Sequence, residues 1–141
     1  MDEVASGLFV GSIEDVEDRS LLDEHRISAI ISLTHAEPET GFPADVAVVR
    51  IPMMDGPRNE YQTFVRAVEE VLTRWEIGNR VLVHCSAGAS RSPAVAATAL
   101  SLSTDRTLEA AFQQLQRRRA AVEPHEALIR QAASVSKQGL S

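Results

Sequence analysis

The sequence has a single cysteine, Cys85, in 141 residues, so no internal disulfide can form and the small disulfide-stapled secreted scaffolds are excluded. A chain of this length does not need such staples. It can bury roughly 68–70% of the surface it would expose unfolded, enough for a core without a structural metal. Long apolar runs are also missing. The most apolar stretch, Pro93 to Leu102, is interrupted by Thr98 and Ser101 and falls short of the ~20 residues of a membrane helix, so it reads as a buried helix. There is no repeat, low-complexity tract or flexible linker, and one domain spanning residues 1–141 is expected. The acidic start Met1-Asp2-Glu3 argues against a signal peptide, which makes the cytoplasm the expected compartment. Lysine is nearly absent. Lys137 stands against thirteen arginines, a bias that high-salt adaptation and a GC-rich source would both produce.

Charge is unevenly distributed. The net charge is −6, yet residues 1–45 carry eleven acids and two arginines, whereas residues 46–141 carry nine acids and twelve bases. The second portion suits an anionic ligand. The overall negative charge disfavours general adhesion to nucleic acid or to an anionic membrane, while permitting a local basic pocket.

Along the chain, strand and helix signals alternate. Leu8-Phe9-Val10 before Gly11-Ser12 reads as a short strand and turn, and Ile13 to His25 as a charged helical segment. The acids Glu14, Asp15, Glu17 and Asp18 are expected to form its solvated face. Ile27 to Leu33 and Val46 to Ile51 are strand candidates, separated by a surface loop holding Pro38, Gly41 and Pro43. Met53 to Arg58 contains the turn sequence Asp55-Gly56-Pro57, after which Asn59 can cap a helix that begins near Glu60. Tyr61, Phe64, Val65, Val68, Val71, Leu72 and Trp75 recur at helical spacing, and Gly78 closes that helix. Arg80 to His84 reads as a buried strand. Further helices are expected near Pro93, Thr107 to Arg119 and His125 to Ser136. The fold class is α/β: a central, mixed but largely parallel sheet of about five strands, flanked by helices.

The stretch His84-Cys85-Ser86-Ala87-Gly88-Ala89-Ser90-Arg91-Ser92-Pro93 sets a thiol and a guanidinium at the two ends of a strand–loop–helix junction, with five residues between them. If the loop curls, successive backbone N–H groups point inward and the following helix presents its positive end. The result is a nest for a tetrahedral oxyanion. Gly88 permits the turn. Arg91 offers a planar fork to two phosphate oxygens, and the same positive field would favour a thiolate at Cys85. A lone cysteine is ordinarily a small apolar core residue, but thiol, glycine, arginine and hydroxyl here all fall at the offsets this chemistry requires. Zinc binding through His84 and Cys85 is disfavoured. Adjacent strand residues point to opposite faces, and no CxxC or HxxxH partner exists.

These residues resemble the cysteine-dependent protein tyrosine phosphatase superfamily, whose signature is His-Cys, five residues, then Arg-Ser or Arg-Thr. Leu8 to Ser12 and Arg119 to Gln131 resemble the opening strand and closing segment of its compact dual-specificity branch. One departure is His125, after Pro124, where that segment usually has asparagine.

The resemblance implies a role for each matching residue. Cys85 would attack phosphorus to give a cysteinyl-phosphate. Arg91 and the amides of Ser86, Ala87, Gly88, Ala89, Ser90 and Arg91 would hold the equatorial oxygens. Ser92 would donate its hydroxyl to the departing sulfur, and His84 would brace the loop. Asp55, thirty residues before the thiol in a turn-rich loop, resembles the general acid; Asp45 and Glu60 are weaker candidates. No metal or cofactor is implied. His25, His35 and His125 read as surface or capping residues. Arg117-Arg118-Arg119 read as charges suited to a helix end, with recruitment of acidic partners as the alternative.

The implied substrate is a phosphoprotein bearing phosphotyrosine, with phosphoserine and phosphothreonine admitted by a shallow cleft. Phosphatases of phosphoinositides, nucleotides or RNA 5′ ends use the same loop, often with lysine or arginine among its five residues. Here all five are uncharged. A phosphate-binding module without turnover is a third reading, against which the retention of Cys85, Arg91 and Asp55 speaks.

Overall fold

In the computed structural model, which describes residues 1–139, the elements follow one another as β1 (Asp2–Ala5), β2 (Leu8–Gly11), α1 (Ile13–Glu17), α2 (Arg19–Glu24), β3 (Ala29–Ser32), β4 (Ala47–Arg50), α3 (Tyr61–Glu76), β5 (Val81–His84), α4 (Arg91–Thr104), α5 (Leu108–Arg118) and α6 (Glu126–Gln138). The strands form one sheet in the order β1-β2-β5-β3-β4. β2, β5, β3 and β4 are parallel, and β1 pairs antiparallel with β2. The α/β class and the largely parallel five-stranded sheet agree with the reading of the sequence.

β5 lies at the centre of the sheet and all four of its residues are buried, as a strand covered on both faces should be. The period of two divides the core. Leu8, Val10, Ala29, Ile31, Val81 and Val83 face a large apolar layer shared with α3, α4, α5 and α6, whereas Phe9, Ile30 and Leu82 face a smaller one closed by Val16, Leu22 and Ile27. α4 is buried on every side from Ser92 to Ser101, which accounts for its apolar composition all round. Its hydroxyls are satisfied locally. Thr98 donates to the carbonyl of Ala94 at 2.7 Å and Ser101 to that of Arg106 at 2.7 Å.

Three local expectations are corrected. The segment Ile13–His25 is two helices, because Asp18 ends α1 and its carboxylate caps α2 by accepting from the Leu21 N–H at 3.1 Å. Its acids are not simply a solvated face. Asp15 closes a capping box with Ser12 and lies 2.9 Å from the Met1 ammonium. Burial alone would raise the pKa of Asp15; the Ser12 N–H and the ammonium outweigh it and hold it below the usual 3.8. Glu17 accepts from the Glu39 N–H. Finally, Glu60 rather than Asn59 occupies the N-cap of α3, and it makes no side-chain cap.

The strand the sequence conceals is β1. Asp2 and Glu3 have poor strand propensity and only Val4 is buried, so pairing with β2 supplies what local preference does not. No helix among the described residues is long and apolar enough to cross a membrane.

Candidate active site

Cys85 follows the carboxyl end of β5, where the chain leaves the sheet for α4. β5 is flanked by β2 and β3, whose connection through α1 and α2 covers the opposite face from α4. Such a switch point leaves a crevice beyond the strand ends. The segment from Cys85 to Ser90 curls there, and its carbonyls are held from outside. Ser86 O accepts from the Ile13 N–H at 3.1 Å, and Ala89 O from the Glu123 N–H at 2.7 Å. Ala87 O and Gly88 O accept from Arg119 Nη2 and Nε at 3.1 and 2.8 Å. Among the described residues, no N–H from Ser86 to Arg91 donates to a protein acceptor.

Gly88 is required twice over. Its φ is +70°, and a Cβ there would lie 2.7 Å from Gly11 O and 2.5 Å from Arg119 Nη2.

At the floor of this loop Cys85 is only 2% exposed. Ser92 approaches it twice: the hydroxyl lies 3.2 Å from Sγ, and the Ser92 N–H, in the first turn of α4, donates to Sγ at 3.4 Å. Donors from a helix N-terminus converging on sulfur are the arrangement that a thiolate accepts.

Arg91 reaches back across the loop. Its Nη2 donates to Ser86 Oγ at 2.9 Å and its Nη1 to the carbonyls of Met53, at 3.1 Å, and Leu33, at 3.4 Å. The guanidinium thereby ties the loop to β3 and to the segment carrying Asp55. Asp55 is exposed, and its Oδ1 accepts from the Ser90 hydroxyl at 2.5 Å. Ser90 Oγ accepts in turn from the His125 N–H at 2.8 Å. A single side chain therefore joins the phosphate loop, the Asp55 loop and the start of α6.

His125 caps α6 by accepting from the Ala127 N–H on Nδ1 at 3.0 Å, so its capping expectation holds. His84 is fully buried, with Nε2 2.7 Å from Ser32 Oγ and Nδ1 3.4 Å from Cys85 O. Loss of hydration on burial lowers its pKa from the usual 6.5 to about 4, helped by the nearby Arg91 charge. A neutral ring that donates from Nδ1 to the carbonyl and accepts from Ser32 on Nε2 fits both contacts.

The expected residues thus assemble as follows: Cys85, Ser92 and Arg91 in the loop, His84 beneath it, and Asp55 at its edge through Ser90. Asp45 is not among them. It pairs with Arg19 at 2.7 Å on the surface. Neither helix-end charge nor partner recruitment describes Arg119. Its side chain is 10% exposed, turned beneath the loop, and pairs with Asp2 at 2.9 Å. Asn59, expected as a cap, instead accepts from the Met54 N–H at 3.0 Å and donates to Gln131 at 2.9 Å, bracing the Asp55 loop. The Gln131 contact has no signal in local sequence, since the two residues are 72 positions apart.

With this geometry in place, comparison with known proteins assigns the family. Residues 8–138 match the family described as "Dual specificity phosphatase, catalytic domain", and the chain belongs to it. It is 29% identical over 140 residues to dual specificity protein phosphatase 4 of Gallus gallus, covering 99% of this chain and 37% of that protein. The chain therefore spans little more than a third of that relative's length. Among solved structures, human DUSP28 aligns with a TM-score of 0.86 at 23% identity, covering 97% of this chain and 96% of its own. A mouse putative dual specificity phosphatase complexed with zinc tungstate also gives 0.86, at 24% identity, covering 99% of this chain and 90% of its own.

Proposed function

We propose that residues 1–141 form one catalytic unit, a metal-independent cysteine-dependent phosphomonoester hydrolase. Its substrates are phosphoproteins, phosphotyrosine first and phosphoserine or phosphothreonine as well, and its compartment is the cytoplasm. The observation that carries the reading is the sulfur of Cys85 beneath a loop with outward-held carbonyls, with Ser92 donating to it and Arg91 spanning the opening.

In this reading the phosphate dianion occupies the loop and its oxygens take the free N–H groups from Ser86 to Arg91. Arg91 turns its fork from Ser86 to two equatorial oxygens. Cys85 attacks phosphorus in line. The S–P bond forms as the P–O bond to the leaving group breaks, and Asp55 delivers its proton to the departing oxygen. Asp55, now a carboxylate, takes a proton from water as that water attacks the phosphocysteine. The S–P bond then breaks, the Ser92 hydroxyl steadies the sulfur anion, and inorganic phosphate leaves. His84 keeps the strand end and the loop in register.

The five uncharged loop residues favour a simple phosphomonoester over a polyphosphorylated inositol or nucleotide. Turnover of p-nitrophenyl phosphate tests the mechanism: Cys85→Ser should remove it by several orders of magnitude while tungstate still binds. Substantial residual turnover would overturn the covalent route. A panel of phosphopeptides against inositol phosphates tests the substrate class, and preference for the latter would overturn it.

A further inference from the structure

We infer that Arg119 is a positioning residue for the phosphate loop, aiming two of its amides at the oxyanion through the carbonyls it holds. A trans peptide plane sets its C=O and the following N–H in opposite directions, and no peptide bond among the described residues is cis. Fixing a carbonyl on one side of the loop therefore turns the next N–H to the other. Arg119 Nη2 takes Ala87 O and Arg119 Nε takes Gly88 O, which turns the N–H groups of Gly88 and Ala89 toward the side opposite the guanidinium. The flanking planes are set by backbone instead: Ile13 N–H on Ser86 O orients the Ala87 amide, and Glu123 N–H on Ala89 O orients the Ser90 amide.

Two observations make this a fixed rather than a casual contact. Both Nη1 hydrogens of Arg119 are engaged as well, Nη1 lying 2.9 Å from Asp2 Oδ2 and 3.4 Å from Val10 O. And no side chain fits at position 88, because a Cβ would meet Arg119 Nη2 at 2.5 Å. A planar fork holds two successive carbonyls in a fixed mutual geometry; an ammonium at the end of a flexible stem has donors enough but does not fix their directions. The inference rests on reading the loop as an oxyanion cradle, and its test separates the two.

The test uses the full chain carrying Cys85→Ser, titrated with sodium tungstate by calorimetry and by amide spectra of the 15N-labelled protein. Arg119→Met should weaken tungstate binding roughly 10- to 100-fold. The tungstate-induced shifts of Gly88 and Ala89 should collapse while those of Ala87 and Ser90 persist, a pattern that general loosening of the loop would not give. Arg119→Lys, which keeps the charge and the pairing with Asp2, should recover less than half of the lost binding free energy, and it carries the test alone if Arg119→Met does not fold. With Cys85 restored, kcat/KM should fall by the same factor for aryl phosphates of good and poor leaving group. Unchanged tungstate affinity in the variants, full recovery by lysine, or an equal loss of all four amide shifts would overturn the role of Arg119. Failure of the parent protein to bind tungstate would instead overturn the cradle.

Discussion

The two loops that meet over Cys85 are built in opposite ways. From Ser86 to Ala89 every carbonyl of the phosphate loop is held from outside, two by backbone N–H groups and two by Arg119. The segment Met53–Arg58 is anchored mainly at its ends. Met53 N donates to Leu33 O at 2.9 Å, Met54 N to Asn59, and Asn59 N to Gly56 O at 3.1 Å, while Asp55 has only the Ser90 hydroxyl. Met54, Asp55, Pro57 and Arg58 are exposed. The difference suits the roles proposed for the two loops. Donors that stabilise a dianion gain most when no reorganisation is needed at the moment of reaction, so they are fixed. An acid that must reach leaving oxygens of different shape, then admit a water, is better placed on a segment with few ties.

The largest effect expected from this contrast is at Asp55. Asp55→Asn should lower kcat/KM about 10²–10⁴-fold for an alkyl or phenyl phosphate, which needs its proton, and far less for a good leaving group such as p-nitrophenolate. Tungstate affinity should not change, because the cradle is complete without this side chain. Steady-state kinetics across a series of aryl phosphates measures it. Equal losses for every leaving group would mean that Asp55 shapes the cradle rather than supplying the proton, and the division between the two loops would fail.

The next effect is on the rigidity of the phosphate loop itself, through His84. Its pKa is lowered from 6.5 to about 4, so between these values the unfolded chain binds more protons than the folded one. Stability is then complete above about pH 6.5 and is lost as pH falls toward 4, by about 3 kcal/mol in all. Asp15 is shifted the same way, below 3.8, so its contribution is likewise lost on acidification but only at lower pH. Urea unfolding at about pH 7.5 and 4.5 checks the sign. His84→Gln should be less stable at the higher pH, since the paired contacts to Ser32 and Cys85 O are weakened, but should lose less on acidification. A variant that acidifies in parallel with the parent would remove His84 as the cause.

What the sequence made legible was whatever is written within a few residues. The thiol, glycine, arginine and hydroxyl of the loop sit within eight positions, and the short apolar runs at Leu8–Gly11 and Val81–His84 mark buried strands by themselves. Asp55 was readable because a turn and an acid coincide after a strand. The outer supports were not. Arg119 reads as one of three arginines at a helix end until the backbone turns at its C-cap position and sends it under the loop. β1 has no strand signal until β2 pairs with it, and Asn59 suits a cap as well as it suits Gln131 and Met54. Arg119 and Asn59 take their meaning from Gly88 and Gln131, distant in the chain, and β1 takes its own from the strand that follows it; local pattern supplies none of these partners.

The smallest effect probes the one side chain that belongs to both loops. The Ser90 amide faces away from an anchored carbonyl, but its hydroxyl leaves the cradle to donate to Asp55 Oδ1 and to accept from the His125 N–H. Ser90→Ala keeps the backbone donor and removes the tether. Tungstate affinity should therefore stay within about twofold, while kcat/KM for a poor leaving group falls about tenfold, as loss of one hydrogen bond to a charged group would give. A good leaving group should lose little, and Ser90→Thr should restore the difference. If tungstate affinity falls along with turnover for every leaving group, Ser90 serves the cradle through its side chain. The two loops would then be one mechanical unit.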